Sequence, residues 1–227
     1  MKNKTFKPAL MNYDKYSEVI MKVLLFNGSS RAAGCTYTAL SIVAKALNEE
    51  GIETEIVQIG AKPVRDCIGC GQCKDRGKCI FDDDIVNGWI DMAKDADGFV
   101  FGTPVYYAHP TGRILSAMDR AFYAGGYAFT HKPAAVIASA RRAGTTASLD
   151  AISKHLSISQ MPVISSTYWN MVHGNTPEQV MQDAEGVETM HNLGKNLAWI
   201  LKCIEAGKKV GIDIPATVHA ERTNFIR

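Results

Sequence analysis

The chain has 227 residues, a formal charge of +2 and 46% apolar residues, which suits one α/β domain with decoration, or at most two small domains, around a substantial core. The near-neutral charge and the lack of a Lys/Arg block argue against a nucleic-acid binder held by phosphate contacts. No apolar run approaches the ~20 residues of a membrane span, and Pro8 to Ile20 is too polar for a signal peptide, so a cytoplasmic protein with reduced thiols is expected.

Residues 1–21 show weak periodicity and read as an N-terminal extension. The first strand is the apolar run Val23-Leu24-Leu25-Phe26, short enough to be buried on both faces. A turn of small and hydroxyl residues follows, from Asn27 to Gly34. Thr36 then stands where it could cap a helix carrying Leu40, Val43 and Leu47. A strand turning tightly into a helix N-terminus aims free N–H groups at one point, where the helix dipole favours an anion. Ser29, Ser30 and Thr36 can add hydroxyl donors, and Arg31 a forked cation. The spacing is neither GxGxxG nor GxxxxGK[ST], so a dinucleotide fold or a P-loop is not indicated. A tight turn that binds nothing is the plain alternative.

Thr54 to Ile59 alternates polar and apolar residues, as a strand near the sheet edge does. Residues 60–81 form a long loop bearing Cys67, Cys70, Cys73 and Cys79. Asp82-Asp83-Asp84 leads into a helix with Ile85, Trp89, Met92 and Ala93; capping and dipole charge account for the acids better than a metal site does. Phe99-Val100-Phe101 is a third strand, ending in Gly102-Thr103-Pro104-Val105-Tyr106-Tyr107. Helical spacing resumes at Ile114, Leu115, Met118 and Phe122. Pro133 to Ala138 is a fourth strand, with Ser139 to Gly144 as the loop after it. Leu149, Ile152 and Leu156 mark a helix. Pro162-Val163-Ile164 opens a fifth strand running into Tyr168–Gly174. Thr176-Pro177 signals a helix start. The last helix carries Met190, Leu193, Leu197, Leu201 and Ile204 and ends near Gly207. Cys203 falls on its apolar side, as an inert core residue.

Strands alternating with helices imply a doubly wound parallel sheet, whose ligand sits beyond the C-terminal strand ends at the point where strand order reverses. The loops after strands one, three and four all fall on that edge. His109 and His173 lie in candidate site loops, each read as a surface or structural residue rather than a proton donor.

With GSSRAAGCT, GTPVYYAHPTG and SARRAGTT in that order, the chain resembles the flavodoxin-like FMN oxidoreductases over roughly residues 22–165. It resembles the NAD(P)H-dependent FMN reductases and, with its cysteines, the iron–sulfur flavoproteins. The resemblance implies a three-layer, five-stranded sheet of order 2-1-3-4-5 over residues 22–210, with 211–227 as a C-terminal tail. It implies FMN phosphate contacts from Ser29, Arg31, Cys35 and Thr36. Thr103, Pro104, Val105, Tyr106 and Tyr107 would lie along the isoalloxazine, and Ser139, Arg141 and Gly144 would approach the flavin. Cys35 stands where relatives often have asparagine. The implied activity is an FMN-dependent oxidoreductase of the flavin or quinone reductase type. NADH or NADPH would be the donor, a small molecule or protein the acceptor, and the assembly a homodimer or homotetramer. The N-terminal extension and the Tyr168–Gly174 loop are candidates for the subunit contact. With the flavin carrying the chemistry, no catalytic acid, base or nucleophile is assigned. The alternative is a non-catalytic electron carrier, though such flavodoxins are usually strongly acidic.

The cysteines read C-x2-C-x2-C-x5-C, with Gly69, Gly71 and Gly77 between them. Four thiolates so close can wrap a compact metal centre. The resemblance to iron–sulfur flavoproteins implies a [4Fe–4S] cluster that exchanges electrons with FMN. A structural zinc usually pairs two separated C-x2-C knuckles, and an empty or redox-active loop is the third reading.

Overall fold

The computed structural model describes residues 20–221 and 223–225. Most of the expected N-terminal extension, and its suggested subunit contact, lies outside the described residues.

Five parallel strands form the sheet: β1 (Lys22–Asn27), β2 (Glu53–Gln58), β3 (Gly98–Tyr106), β5 (Ala134–Ala140) and β6 (Met171–His173), in the spatial order β2-β1-β3-β5-β6. A two-residue strand, β4 (His109–Pro110), pairs antiparallel with the end of β3. Counting the parallel strands alone gives the expected 2-1-3-4-5. β1 lies between β2 and β3, so strand order reverses there, with Asn27 opposite Gln58 on one side and Gly102 on the other.

The apolar strands are buried on both faces, as their unbroken hydrophobic runs require. Leu24, Phe26, Phe99, Phe101 and Val136 point into one core with α3 (Val86–Lys94), α4 (Gly112–Gly125) and α5 (Thr145–Ile158). Val23, Leu25, Val100, Ala135 and Ile137 point into the other, against α1 (Cys35–Glu49) and α7 (Ala184–Lys209). Two short helices complete the set, α2 (Cys73–Arg76) in the cysteine loop and α6 (Pro177–Gln182) before α7. Helix α1 lies so close on α7 that a Cβ on Gly194 would meet Val43 O at 2.8 Å and Ala46 Cβ at 2.6 Å. Glu50 then pairs with Lys195 and Lys202 across the same seam.

Several expectations are corrected. The fifth strand is not Pro162–Ile164, which makes a single bridge from Val163 to Ala134. It is Met171–His173, because Asn170 donates its amide to Val136 O at 3.0 Å and brings the chain back to β5 only there. Thr36 does not cap α1. The cap position belongs to Gly34, and Thr36 is buried in the first turn. Ser139 lies within β5, which ends at Ala140, rather than opening the loop. Cys203 is exposed, not core.

The three acids before α3 divide their work. Asp84 Oδ1 accepts from Val86 N at 3.1 Å, as a cap does. Its carboxylate also pairs with Arg120, whose side chain is buried. Asp83 meets Arg65 at 2.5 Å and Asp82 accepts from Asn87 at 3.0 Å. Beyond α7, residues 211–221 have no regular structure.

Candidate functional site

The site sits where β1, β3, β5 and β6 end, on the edge where a doubly wound sheet holds its ligands. A cavity of about 200 Å³ is lined by Ser29, Arg31, Cys35, Thr36, Pro104, Val105, Tyr106, Ser139, Ala140, Arg141, Gly174 and Asn175. That volume suits the phosphate end of a nucleotide better than a whole flavin, whose larger part would lie outside it.

The turn after β1 is fixed by close backbone approach. Gly28 N donates to Gly102 O at 2.8 Å, and a Cβ at Gly28 would stand 2.7 Å from that oxygen, so only glycine fits. Thr111 Oγ1 donates to Gly28 O at 3.1 Å and accepts from Ile114 N at 3.2 Å, tying the turn to the start of α4.

Helix α1 starts from Gly34 with no side-chain cap and no acid in its first turn. Its first N–H groups, those of Cys35, Thr36 and Tyr37, have no partner within the helix, and Cys35 and Thr36 line the cavity. Helix α5 starts from Gly144 in the same uncapped way. By contrast α4, α6 and α7 are capped by Thr111, Thr176 and Asp183. A dianionic phosphate matches what α1 lacks, and Arg31 supplies charge beside it. The donors present therefore fit FMN.

Thr36 Oγ1 and Ser139 Oγ are 2.8 Å apart and both buried, which joins the start of α1 to the end of β5. Cys35 Sγ lies 3.5 Å from Gly174 O. Burial raises the Cys35 thiol above its ordinary value, against its backbone N–H and Arg31, while Glu178 adds to the rise. The half-buried thiol lines the cavity.

Tyr106 turns its hydroxyl toward the phosphate loop, 3.1 Å from Ser30 Oγ. Burial raises its phenol, but hydrogen bonds with Ser30 and Ser29 and the charge of Arg31 together outweigh it, leaving the group below the ordinary tyrosine value.

Three expected contacts do not line the cavity. Thr103 is buried, accepting from Thr111 N at 3.2 Å and donating to Pro104 O at 3.0 Å. Tyr107 occupies the hairpin between β3 and β4 at φ 63° and is fully exposed. Gly144, at φ 90°, supports that hairpin: a Cβ there would meet Val105 Cγ1 at 2.7 Å and Ala108 O at 3.0 Å. Conversely Ala140, Gly174 and Asn175 line the cavity but are missing from the sequence reading. A glycine directly after a strand was the available signal for Gly174. His109 and His173 make backbone contacts, to Pro110 O at 2.9 Å and Arg142 O at 3.1 Å.

In the cysteine loop, Cys67 and Cys70 are exposed, Cys73 is half-buried and Cys79 buried. Four thiols suit iron or zinc by donor chemistry. Among the described residues, however, no three His, Cys, Asp or Glu side chains lie close enough to share a metal ion. The loop as folded does not bring these ligands together, and no electron path through a cluster is derived. What it does have is a clamp at its base. Arg120 Nε donates to Cys79 Sγ at 3.2 Å, and its other nitrogens reach Arg65 O at 3.1 Å, Phe81 O at 3.2 Å and the Asp84 carboxylate.

Residues 21–176 match the model of the family described as NADPH-dependent FMN reductase. The chain belongs to the NADPH-dependent FMN reductase family. FMN-dependent oxidoreduction is therefore its activity class. An iron-sulfur flavoprotein of Methanocaldococcus jannaschii is 33% identical over 193 residues, covering 82% of this chain and 100% of that one. An iron-sulfur flavoprotein of Methanosarcina thermophila is 25% identical, covering 83% and 99%. Among solved structures, an NAD(P)H:quinone oxidoreductase from Methanothermobacter marburgensis superposes with a TM-score of 0.60 at 14% identity, over 79% of this chain and 98% of that one. An archaeal flavodoxin does so with 0.55 at 14%, over 80% and 99%. At such identities the superpositions show the shared fold.

Proposed function

We propose that the protein is an NAD(P)H-dependent FMN oxidoreductase that passes electrons to a small-molecule or protein acceptor. The observation that carries the proposal is the uncapped start of α1 beside Arg31, at the switch point of a sheet shared with flavoproteins. Bound FMN would supply hydride and electron transfer. Ser29, Arg31, Cys35 and Thr36 would hold its phosphate, and Pro104, Val105 and Tyr106 would form an apolar and aromatic wall beside it. Ser139 and Arg141 line the same cavity. The chain's task is to bind and orient, and no side chain is assigned a proton transfer.

A [4Fe–4S] cluster on Cys67, Cys70, Cys73 and Cys79 is the finer reading. The names of the relatives and the four-thiol donor set support it. The separation of the thiols opposes it. Subunit association as a homodimer or homotetramer belongs to the same reading.

Anaerobic purification tests these points together. Flavin absorbance that is bleached by NADH or NADPH is expected. A colourless protein that takes up no added FMN overturns the proposal, and a flavin that neither nicotinamide reduces favours a carrier. Iron and sulfide in near-equal amounts would establish the cluster, and zinc alone would replace it.

A further inference from the structure

Beneath the phosphate-facing turn lies a layer of side chains that takes no part in lining the cavity. Asn27 and Gln58 stand opposite each other at the ends of β1 and β2. Asn27 is wholly buried and Gln58 half-buried. Asn27 Nδ2 donates to Gln58 Oε1 at 2.6 Å, and Asn27 Oδ1 accepts from Ser29 N at 3.1 Å. Gln58 Nε2 in turn donates to Ser29 O at 2.6 Å. Both backbone polar groups of Ser29 are thus held by side-chain amides. Ser29 Oγ then accepts from Arg31 N at 3.1 Å, carrying the constraint to the residue that bears the charge.

The roles of the two ends of the Gln58 amide follow from these partners: a carbonyl can only accept, so the nitrogen must face Ser29 O, leaving the oxygen for Asn27. Without Gln58, the Asn27 amide nitrogen keeps only a long contact of 3.5 Å to Arg31 O, and Ser29 O loses its partner. Strand β2 is an edge strand and supplies none of the lining residues.

We propose that Gln58 is the positioning residue of the phosphate loop. Through Asn27 and Ser29 it sets the peptide planes between the end of β1 and Arg31, so that the guanidinium and the first N–H groups of α1 face one anion. The inference rests on the flavin reading above and extends it to a residue that need not touch the ligand.

The test compares FMN with riboflavin, which has the same ring system and ribityl chain but no phosphate. Flavin fluorescence titrations are run on the full chain, on Gln58→Met, which keeps the reach but loses both hydrogen bonds, and on Gln58→Glu. The glutamate sets a carboxylate against Ser29 O and adds negative charge beneath the anion. FMN affinity is expected to fall about tenfold or more in Gln58→Met, the scale of one to two lost hydrogen bonds, and further in Gln58→Glu. Riboflavin affinity is expected to change by less than about twofold, since the loop that Gln58 holds would face the phosphate that riboflavin lacks. Equal losses for both ligands, or unchanged FMN affinity, would overturn the assignment, because a general loosening of the fold does not single out a phosphate. If Gln58→Glu does not fold, Gln58→Met carries the comparison. A wild-type chain that binds no FMN overturns the flavin reading as well.

Discussion

At the scale of single residues, the candidate phosphate end of the site rests on Arg31 and a set of backbone donors. Arg31 stands alongside Cys35 and Tyr106, close enough for its charge to bear on both. Replacing it by alanine removes the full charge but leaves the helix N–H groups, so FMN affinity should fall by about tenfold to a hundredfold, or 1.5–3 kcal/mol for a charge-assisted hydrogen bond. Isothermal titration at two ionic strengths checks this, and the variant should show the shallower salt dependence. This loop was readable before any coordinates, because a strand, a small-residue turn and a helix start within fifteen positions allow few geometries. Its internal wiring was not. That Thr36 pairs with Ser139, or Gln58 with Ser29, depends on which strands become neighbours, which no local spacing encodes.

At the scale of elements, the strands and helices followed their hydrophobic periods, and misreadings arose where backbone hydrogen bonds were made by something other than a neighbouring strand. Pro162–Ile164 has the composition of a strand, yet the Asn170 side chain takes the place of strand pairing at Val136 O and delays β6 to Met171. Cys203 lies beyond the buried face of α7, which runs from Gly186 and ends at Leu201.

The cysteine loop shows an element held by one residue. Arg120 reaches both of its stems, at Arg65 on one side and at Cys79, Phe81 and Asp84 on the other, with its guanidinium 5.3 Å from the centre of the Phe81 ring. Arg120→Met would leave the Asp84 carboxylate buried without its cation. A loss of about 3–5 kcal/mol in denaturant unfolding is expected, the usual penalty for breaking a buried pair from one side. Proteolysis should then cut first within residues 60–81.

At the scale of the whole molecule, α1 and α7 form the layer that covers one face of the sheet, and their seam is pinned electrostatically. Lys202 and Lys195 hold the Glu50 carboxyl down at about 2, and the hydrogen bond from Lys195, with help from His191, lowers Glu49 as well, against a small desolvation effect. Because the folded value lies below the unfolded one, the contribution is complete above about pH 4.5 and disappears as the pH falls toward 2. Thermal melts of wild type and Glu50→Gln should therefore differ most near neutrality and converge in acid. A gap that is constant with pH would show that the pairs contribute nothing. The three-layer fold itself was legible because an apolar strand buried on both faces needs helices on both sides, while the order of the parallel strands came with the resemblance to the flavodoxin-like FMN oxidoreductases.

The glycine that begins α1 gives the cavity one more property. The helix leaves its leading amides without a side-chain cap, and Cys35 and Thr36 line the opening. A ligand anion that occupies the opening completes hydrogen bonding that other helices obtain from their own threonine or aspartate. Bound FMN would then stand in for the missing N-terminal cap of α1, supplied from outside the chain. Heat resistance and flavin content should rise and fall together in this protein, one quantity read on two instruments.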